Sequence, residues 1–360
     1  KAACACVYTQ NLVQGAPIAV TKENVANGYA QAIICNSGNA NTCNSNGVEI
    51  AQKMCQLVGE TLGISPSDVV VASTGVIGKP LSIEPIASGI PVLAGLLALD
   101  SNGAAEAIMT TDVKKKEIAV EFILGGTVCR MGGIAKGSGM IQPNMATMLG
   151  FITTDAAITP QMLQKALSAD VPESFNMVSI DGDTSTNDMV TVLANGLAGN
   201  PVIDSEGADY DTFCSALHEV TLYLTRAIAG DGEGATKLIT CSISGAADTA
   251  SAKKLAKSVI NSPLVKCALF GADANWGRVL CALGYAGIPL DVHKIGVTFA
   301  SASGKVAVCE NGSGLDFSEE QAKVVLSAPE IEILITLAEG DSSATAYGCD
   351  LTYDYVKING

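Results

Sequence analysis

The sequence has little of several features on which familiar functions depend. Its only two histidines, His218 and His293, lie far apart along the chain, which argues against a Ser/His/Asp enzyme. Basic residues are few: 21 Lys and Arg stand against 36 Asp and Glu, so the net charge is −15. The longest basic run is Lys114-Lys115-Lys116. This charge balance argues against nucleic acid or an anionic membrane as a partner.

Long apolar runs are also missing, although 48% of the residues are hydrophobic and allow a large core. Gly, Ser or a charged residue interrupts each apolar stretch before the roughly 18 residues of a membrane-spanning helix. We therefore expect a globular, soluble, cytoplasmic protein. The sequence opens on Lys1 without a methionine or a signal-like apolar core, as expected of a chain that lacks a short N-terminal segment.

Cysteine is present but lacks the spacing of a disulfide scaffold or a metal site. There are 12 cysteines in 360 residues, and most, such as Cys241 and Cys267, lie within apolar segments. We expect them to be small buried side chains in a reducing compartment. Cys4-x-Cys6, and Cys35 with Cys43, have no His or Cys partners at zinc-finger spacing, so no metal is predicted.

A glycine-rich stretch lies near the middle of the chain, Lys136-Gly-Ser-Gly-Met-Ile-Gln-Pro-Asn-Met-Ala-Thr-Met-Leu-Gly150. It contains Ala146-Thr147, a small residue before a hydroxyl residue, and such a threonine can attack its own preceding peptide bond. A cut there leaves Thr147 with a free α-amino group, whose pKa of roughly 7.7 to 8.0 suits a base at neutral pH. Thr147 would then be a nucleophile activated by its own amine, and Lys136 would orient the chemistry or bind a carboxylate. The alternative is an ordinary surface turn.

Three other loops carry polar residues that suit acyl transfer. Thr74 and Gly75 follow a predicted buried strand that starts at Val69, and their backbone or hydroxyl hydrogens suit an oxyanion; plain turn chemistry explains them equally well. Thr110 follows a predicted helix end and is a cap or a substrate contact. Glu233 lies among glycines that let a substrate approach, or that simply stop a helix.

Hydrophobic periodicity predicts an α/β chain. Alternating residues from Ile118 to Leu124 before Gly125-Gly126 predict a hairpin that leads into the Lys136 loop. The loop Asn36 to Cys43 is either a solvated turn or a loop packed near the active site. The segment Ser179 to Asp188 lacks the glycine and glutamate of a calcium loop, so it is interpreted as a polar strand-to-helix loop. The remaining predictions are helices at 50–62, 160–169, 210–229, 250–260 and 319–326, a turn at 270–278 that carries the only tryptophan, and a final strand from 343 to 359.

Several segments together resemble the glutamate N-acetyltransferase family of arginine biosynthesis, also called ornithine acetyltransferase, whose members are bifunctional or monofunctional. They lie in family order over nearly the whole chain. The matching segments are Asn36-Ser-Gly-Asn-Ala-Asn, Ala72-Ser-Thr-Gly-Val-Ile-Gly, Ile108-Met-Thr-Thr-Asp, Lys136-Gly-Ser-Gly-Met-Ile through Met148-Leu, Ser179-Ile-Asp-Gly-Asp-Thr-Ser-Thr-Asn-Asp, Asp231-Gly-Glu-Gly-Ala-Thr-Lys, Asp273-Ala-Asn-Trp-Gly-Arg and Cys349-Asp-Leu-Thr-Tyr-Asp-Tyr-Val-Lys-Ile-Asn.

The resemblance implies self-cleavage between Ala146 and Thr147 into an α chain (1–146) and a β chain (147–360) that stay associated, as α2β2 or larger. It implies a layered αββα-type sandwich related to self-processing aminopeptidases, with a smaller C-terminal α/β portion. The roles it implies are Thr147 as nucleophile, Thr74 and Gly75 as the oxyanion hole, and Thr110, Lys136, Glu233 and Asn359 as substrate contacts. The family pattern also has a hydroxyl residue a few positions beyond the final Asn, past Gly360.

The implied reaction is ping-pong acetyl transfer from N-acetylornithine to glutamate through acetyl-Thr147, without a cofactor. Some members of the family also use acetyl-CoA as the acetyl donor. One alternative keeps Thr147 as nucleophile with water as acceptor, giving an amidohydrolase or aminopeptidase. Another is a non-catalytic nucleotide or metabolite binder, which no GxxxxGK[ST] or strand-linked GxGxxG supports.

Overall fold

The computed structural model describes residues 1–97, 101–142 and 148–360. The described chain divides into two compact units whose segments alternate along the sequence. The first unit consists of Lys1–Gly137, Gln142–Asn176 and Thr184–Leu224. The second unit consists of Ser138–Ile141, Met177–Asp183 and Thr225–Gly360.

The strands and helices of the described residues are numbered in chain order. The strands are β1 (Ala2–Tyr8), β2 (Tyr29–Ala30), β3 (Ala32–Asn36), β4 (Val69–Ser73), β5 (Lys116–Leu124), β6 (Thr127–Lys136), β7 (Leu149–Thr154), β8 (Val178–Ser179), β9 (Met189–Ala194), β10 (Leu238–Ala246), β11 (Gly296–Ser301), β12 (Gly304–Glu310), β13 (Ser313–Gly314), β14 (Glu330–Thr336) and β15 (Ser342–Cys349). The helices are α1 (Ala16–Asn24), α2 (Gly47–Leu62), α3 (Glu84–Gly95), α4 (Asn102–Ala107), α5 (Pro160–Asp170), α6 (Ala208–Ala229), α7 (Thr249–Asn261), α8 (Pro263–Phe270), α9 (Trp276–Gly284), α10 (Glu319–Leu326) and α11 (Tyr353–Asn359).

The first unit is built on a six-stranded sheet in the order β2-β1-β9-β7-β6-β5. Only β7 and β9 run parallel; the other neighbours are antiparallel. The predicted hairpin is β5–β6, and Gly125 and Gly126 turn it with φ of 54° and 83°. Two successive positive φ values favour glycine, which explains the Gly-Gly pair. The register then places Lys136, the last residue of β6, opposite Leu149 of β7.

Helices cover apolar surfaces of the first unit. The predicted helix at 50–62 is α2, whose buried side chains Met54 and Val58 pack with the parallel pair β3–β4. Helix α5 begins as predicted, with Pro160 in its first turn and the Thr159 hydroxyl accepting a hydrogen bond from the Met162 amide. A core of ten buried residues lies between these elements, among them Leu149 of β7.

The second unit is built on a seven-stranded sheet in the order β13-β12-β11-β14-β10-β15-β8. Strand β10 pairs parallel with β14 and antiparallel with β15. Helix α7 packs on β10 and β15 through its buried face, and α10 packs on β11 and β12. The predicted layered α/β class is confirmed.

Three local predictions are wrong. The segment 343–359 is not one strand: β15 stops at Cys349, and the Thr352 hydroxyl then caps α11 by accepting from the Asp354 amide. Trp276 does not lie in a turn but begins α9, where the Asn275 side chain is the N-cap. The loop 179–188 connects β8 to another strand, β9, rather than to a helix. In the first two cases a polar capping residue begins a helix, which periodicity does not detect.

The cysteine prediction holds for most positions. All twelve thiols are free, and seven are buried: Cys4, Cys6, Cys55, Cys129, Cys241, Cys309 and Cys349. The prediction is wrong for Cys267 and Cys281, which lie in apolar segments but are exposed, because α8 and α9 bury other positions, such as Val265 and Val279. Through the described ranges, no helix combines the length and apolarity needed to cross a membrane.

Candidate active site

Lys136 is the central polar residue at the end of β6. Only 8% of this residue is exposed, yet its ammonium reaches two hydroxyl groups of other loops. Its Nζ donates to Thr110 Oγ1 at 2.7 Å and to Thr74 Oγ1 at 3.5 Å. Thr110 is exposed and Thr74 is half-buried, so this end of the lysine lies where the first unit meets solvent. The structure thus brings three predicted site residues together.

The Thr74–Gly75 loop is held by backbone contacts with the loop that follows β3. The Thr74 amide already donates to the Asn36 carbonyl at 3.0 Å, so the hydroxyl remains as the hydrogen that Thr74 can offer to a ligand. Because an ammonium only donates, Thr74 Oγ1 accepts from Lys136 and can direct its own proton elsewhere. Gly75 has φ of 126°, and a Cβ there would lie 2.2 Å from the Gly38 carbonyl carbon. Only glycine fits this close approach.

The loop Asn36 to Cys43 is packed at 40–42, whereas Ser37, Gly38 and Cys43 are exposed. Ala40, Asn41 and Thr42 are each at most 2% exposed. The side chain of Asn187 fixes them, since its Nδ2 donates to the Ala40 carbonyl at 2.5 Å and its Oδ1 accepts from Thr42 Oγ1 at 2.5 Å. The interpretation as a solvated turn is therefore wrong for these residues. Backbone hydrogen bonds join this loop to the Thr74–Gly75 turn, since the Val76 amide donates to the Gly38 carbonyl at 3.2 Å and the Ala40 amide donates to the Val76 carbonyl at 3.0 Å.

A buried carboxylate, that of Asp112, sets the charge around Lys136. Asp112 Oδ2 lies 3.8 Å from Lys136 Nζ, and its Oδ1 lies 2.7 Å from Lys116 Nζ. Burial alone would raise the pKa of Asp112, but the two lysines and the hydrogen bonds it accepts hold it below its ordinary value. Burial lowers the pKa of Lys136, and the Asp112 carboxylate opposes this effect. We call Asp112, Lys116 and Lys136 the buried ion cluster.

In the second unit, Glu233 and Asn359 form a hydrogen-bonded pair. Asn359 Nδ2, on the last turn of α11, donates to Glu233 Oε2 at 2.6 Å. Glu233 is half-buried and Asn359 is exposed. A Cβ on Gly139 would lie 2.5 Å from the carboxylate of Glu233, so this glycine leaves the space that the carboxylate occupies. The Glu233 amide donates to the Ser138 carbonyl at 2.9 Å and fixes the two segments to each other.

Comparison with known proteins decides the family. A sequence model described as the ArgJ family matches residues 1–360. The chain belongs to the ArgJ family. A relative named arginine biosynthesis bifunctional protein ArgJ 1, from Clostridium acetobutylicum, is 50% identical over 355 residues, covering 98% of this chain and 87% of the relative. A second, from Symbiobacterium thermophilum, is 50% identical over 360 residues, covering 99% and 89%.

A solved structure of an ArgJ protein from Bacillus halodurans is also similar. It is 46% identical with a TM-score of 0.57, and the match covers 59% of this chain and 99% of the solved chain. The resemblance found in the sequence motifs is thereby confirmed, and the chain is an enzyme of the N-acyltransferase class in arginine biosynthesis.

Among the described residues, the predicted site residues of the ArgJ motifs form two groups. Thr74, Thr110 and Lys136 meet in the first unit, and Glu233 meets Asn359 in the second. The predicted cleavage site and nucleophile, Ala146 and Thr147, lie outside the described residues. Their roles, and the division into 1–146 and 147–360, remain predictions. Among the described residues no group of three or more His, Cys, Asp or Glu side chains is arranged to hold a metal ion.

Sequence reasoning missed Asp112 and Lys116 as members of this ArgJ site. Their spacing of four residues is the one signal in the sequence, and it suggests an ion pair only on a helix. Here residues 112–116 are not helical, and the pair forms because β5 begins at Lys116 with its side chain turned into the protein. Asn187 was missed for a similar reason, since its partner Thr42 is 145 positions away.

Proposed function

We propose that this ArgJ-family chain moves an acetyl group from N-acetylornithine to glutamate through an acetyl ester on Thr147. The observation that supports it most directly is the position of Lys136, whose ammonium donates to the hydroxyls of Thr74 and Thr110. These residues supply a cation for a carboxylate and a hydroxyl proton for an oxyanion within one small region. No cofactor is needed for this chemistry, and acetyl-CoA is proposed only as a second acetyl donor.

The nucleophile forms by self-cleavage in our proposal. The Thr147 hydroxyl attacks the carbonyl carbon of Ala146, and the peptide C–N bond breaks, which frees the α-amine of Thr147 and leaves Ala146 as an ester on the Thr147 oxygen. Water then hydrolyses this ester, which releases the Ala146 carboxylate and frees the Thr147 hydroxyl. The solved Bacillus halodurans chain supports this step, because its match covers 59% of this chain and almost all of its own length. The 360 residues less the first 146 leave 214, which is also 59%. A separate chain of that size is what cleavage before Thr147 would leave.

The first half-reaction uses the free α-amine of Thr147 as base. It takes the hydroxyl proton while Oγ1 attacks the acetyl carbonyl of N-acetylornithine. Charge develops on the carbonyl oxygen, and we assign its stabilisation to the Thr74 hydroxyl and the Gly75 amide. The C–N bond then breaks, ornithine leaves with the proton on its amine, and the acetyl ester remains.

The second half-reaction reverses these steps with another amine. The α-amine of glutamate attacks the ester carbonyl, the C–O bond breaks, and N-acetylglutamate leaves. We propose that Lys136 and Thr110 bind a substrate carboxylate, and that Glu233 and Asn359 bind a substrate ammonium. The charged residue of each pair, Lys136 or Glu233, has a sign opposite to that of the substrate group it is proposed to bind. The cleaved chains are proposed to stay associated as α2β2 or larger.

Mass spectrometry under denaturing conditions and an exchange assay test this proposal. We expect two fragments that meet between Ala146 and Thr147, and acetylation of Thr147 when donor is given alone. Thr147→Ala should abolish both cleavage and exchange by removing the one oxygen that serves both, and Thr147→Ser should keep part of each. Thr153→Ala, at an exposed threonine of β7, is the matched control and should change neither. A cleaved and active Thr147→Ala variant would refute the assignment.

The acceptor is tested separately. Ornithine release from N-acetylornithine should depend on glutamate if an amino acid accepts the acetyl group. Release at the same rate without glutamate would indicate that water is the acceptor, and the enzyme would then be an amidohydrolase.

A further inference from the structure

Lys116 is an unusual residue to find in a protein core. It is 1% exposed and is among the largest fully buried side chains of the described residues. Its Nζ donates to Asp112 Oδ1 at 2.7 Å and to the Lys114 carbonyl at 3.1 Å. A buried ammonium is costly unless a negative charge and hydrogen bonds compensate it. Asp112 supplies that charge.

The Asp112 carboxylate does more than neutralise Lys116. Its Oδ1 also accepts from the Gly137 amide at 2.7 Å, and its Oδ2 accepts from the Thr110 amide at 3.1 Å. The same Oδ2 lies 3.8 Å from Lys136 Nζ. One carboxylate is therefore bonded to the backbone of the segments that carry both Thr110 and Lys136.

Four ionisable groups face the Lys136 ammonium: Asp112, Lys116, Cys35 and Asp188. Burial raises the pKa of the Cys35 thiol to about 12, so it stays neutral. Burial also raises the pKa of Asp188 well above its ordinary value, although the charge of this carboxyl still favours the protonated form of Lys136. Of the two nearby carboxyls, Asp112 has the larger charge effect on Lys136 and Asp188 the smaller one.

We propose that Asp112 is a positioning residue of the acyl transfer, which holds Thr110 and Lys136 in their substrate-binding arrangement and keeps Lys136 charged. Lys116 has the opposite effect. Its ammonium binds the same carboxylate and repels the Lys136 ammonium, so it reduces the stabilisation that Asp112 gives to the charged form of Lys136. This inference rests on the proposed function for the role of Lys136, but the charge of Lys136 can be measured without it.

Competitive labelling measures that charge directly. Purified protein is treated with trace acetic anhydride from pH 7 to 11, and digestion and mass spectrometry follow acetylation of Lys136 against exposed Lys305 as internal reference. Only the neutral amine reacts, so the pH midpoint reports the pKa of Lys136. Asp112→Asn should lower the midpoint, and Lys116→Met should raise it. Asp188→Asn is the matched control and should lower the midpoint less than Asp112→Asn does, because Asp188 has the smaller charge effect on Lys136.

The kinetic measurement is kcat/KM as a function of pH. Its basic limb is the fall of kcat/KM at high pH, where Lys136 loses its proton. If Lys136 binds a substrate carboxylate, the limb should move in the same direction as the labelling midpoint in each variant. We expect Asp112→Asn to move it down by about one pH unit or more, which costs about tenfold in kcat/KM above the limb. A merely structural role for Asp112 would not produce opposite shifts in the two variants.

The outcomes separate the two proposals. Equal midpoints for Asp112→Asn and Asp188→Asn would overturn the assignment of Asp112. Midpoints that move while the kinetic limb stays would also overturn its role in the reaction, and would leave acetyl transfer itself intact. If ornithine were released at the same rate with and without glutamate, the proposed function would be refuted. The labelling experiment would still measure the charge of Lys136.

A double variant keeps the test open if the single variants do not fold. Asp112→Asn with Lys116→Met removes one charge of each sign, and thermal unfolding should show it folded. Since Asp112 has the larger effect of the two on Lys136, the midpoint should still fall below that of the wild type. A midpoint at or above the wild-type value would overturn the inference.

Discussion

The two units carry their proposed substrate groups in opposite ways. In the first, the charged groups are buried: the side chains of Asp112, Lys116 and Lys136 are 0%, 1% and 9% exposed. In the second, Asn359 is exposed near the end of the chain, and its partner Glu233 is half-buried. Buried charges must be compensated by the fold, whereas exposed ones are solvated by water. Removing a charged group should therefore change the free energy of unfolding strongly in the first unit. In the second unit, it should change substrate binding with little effect on stability.

The largest effect should come from removing the shared carboxylate. Asp112→Ala leaves two buried ammonium groups without their counter-ion, and we expect a loss of about 3–5 kcal/mol in the free energy of unfolding. Urea unfolding at pH 7 measures it. Glu121→Ala is the control, since the Arg130–Glu121 pair is 67% and 64% exposed and should be worth less than about 1 kcal/mol.

The pH dependence of this loss has a definite sign. The pKa of folded Asp112 is lowered, so its stabilising contribution is present above its unfolded pKa and is lost as pH falls through the folded value. The difference between wild type and Asp112→Ala should therefore shrink in acid. A difference that stays constant down to low pH would show that lost packing, and not lost charge, causes the effect.

The next effect concerns the backbone of the first unit. Gly75→Ala places a Cβ 2.2 Å from the Gly38 carbonyl carbon at a φ of 126°, so we expect a loss of about 3 kcal/mol or more and a kcat lower by about 100-fold. Thermal unfolding and exchange kinetics measure the two. Gly78→Ala is the matched control, because its φ of 77° is also positive but no atom lies within 4 Å of the new Cβ. Equal losses in both variants would mean that backbone strain, not the contact with Gly38, matters.

A smaller effect is expected in the second unit, and it should fall on binding alone. Gly139→Ala puts a methyl group 2.5 Å from the Glu233 carboxylate, which must move. We expect KM to rise by about tenfold, the cost of one charge-assisted hydrogen bond, with the melting temperature nearly unchanged. Gly103→Ala, where the Cβ meets open space, is the control. A Gly139→Ala variant that loses stability but keeps its KM would remove the contrast between the units.

Sequence patterns predicted the scaffold better than the site. The alternating apolar residues from Ile118 to Leu124 predicted the hairpin, and the apolar residues spaced four apart in α2 predicted that helix. Both patterns depend on residues that are close along the chain. The polar motifs located Lys136, Thr74 and Thr110, but no local rule could place their side chains together. The bonds from Lys136 to these two threonines join positions 62 and 26 residues apart, and such contacts arise only when the sheet has formed.

The same limit explains what was wrong or missed. Asp112 ended a matching segment without a role of its own, because its partners Gly137 and Lys136 belong to a different loop and strand. Asn359 was expected on a strand, although the Thr352 cap turns the end of the chain into α11. A capping residue begins a helix through one side-chain hydrogen bond, and the spacing of hydrophobic residues does not reveal this bond.

The smallest predicted effect belongs to His218 and Asp170 of the first unit, whose side chains are 39% and 7% exposed. It tests whether the exposure of one partner, rather than the unit in which the pair lies, decides how much the pair contributes to stability. His218 Nδ1 lies 2.7 Å from Asp170 Oδ1, and this hydrogen bond raises the pKa of the histidine. A raised folded pKa contributes stability that is complete below the unfolded value of about 6.5 and is lost as pH rises through the folded value. Stability should thus fall slightly between pH 6 and pH 8.

Because the His218 side chain is 39% exposed, solvent screens the pair, and we expect it to contribute only about 0.3–0.5 kcal/mol. The measurement is urea unfolding at pH 6 and pH 8 for wild type, His218→Gln and His293→Gln. His218→Gln should reduce the loss of stability between the two pH values, whereas His293→Gln, at the other and exposed histidine, should keep the wild-type loss. If His218→Gln cost as much as Asp112→Ala, membership of the first unit, and not burial, would decide how strongly its charges are coupled to folding.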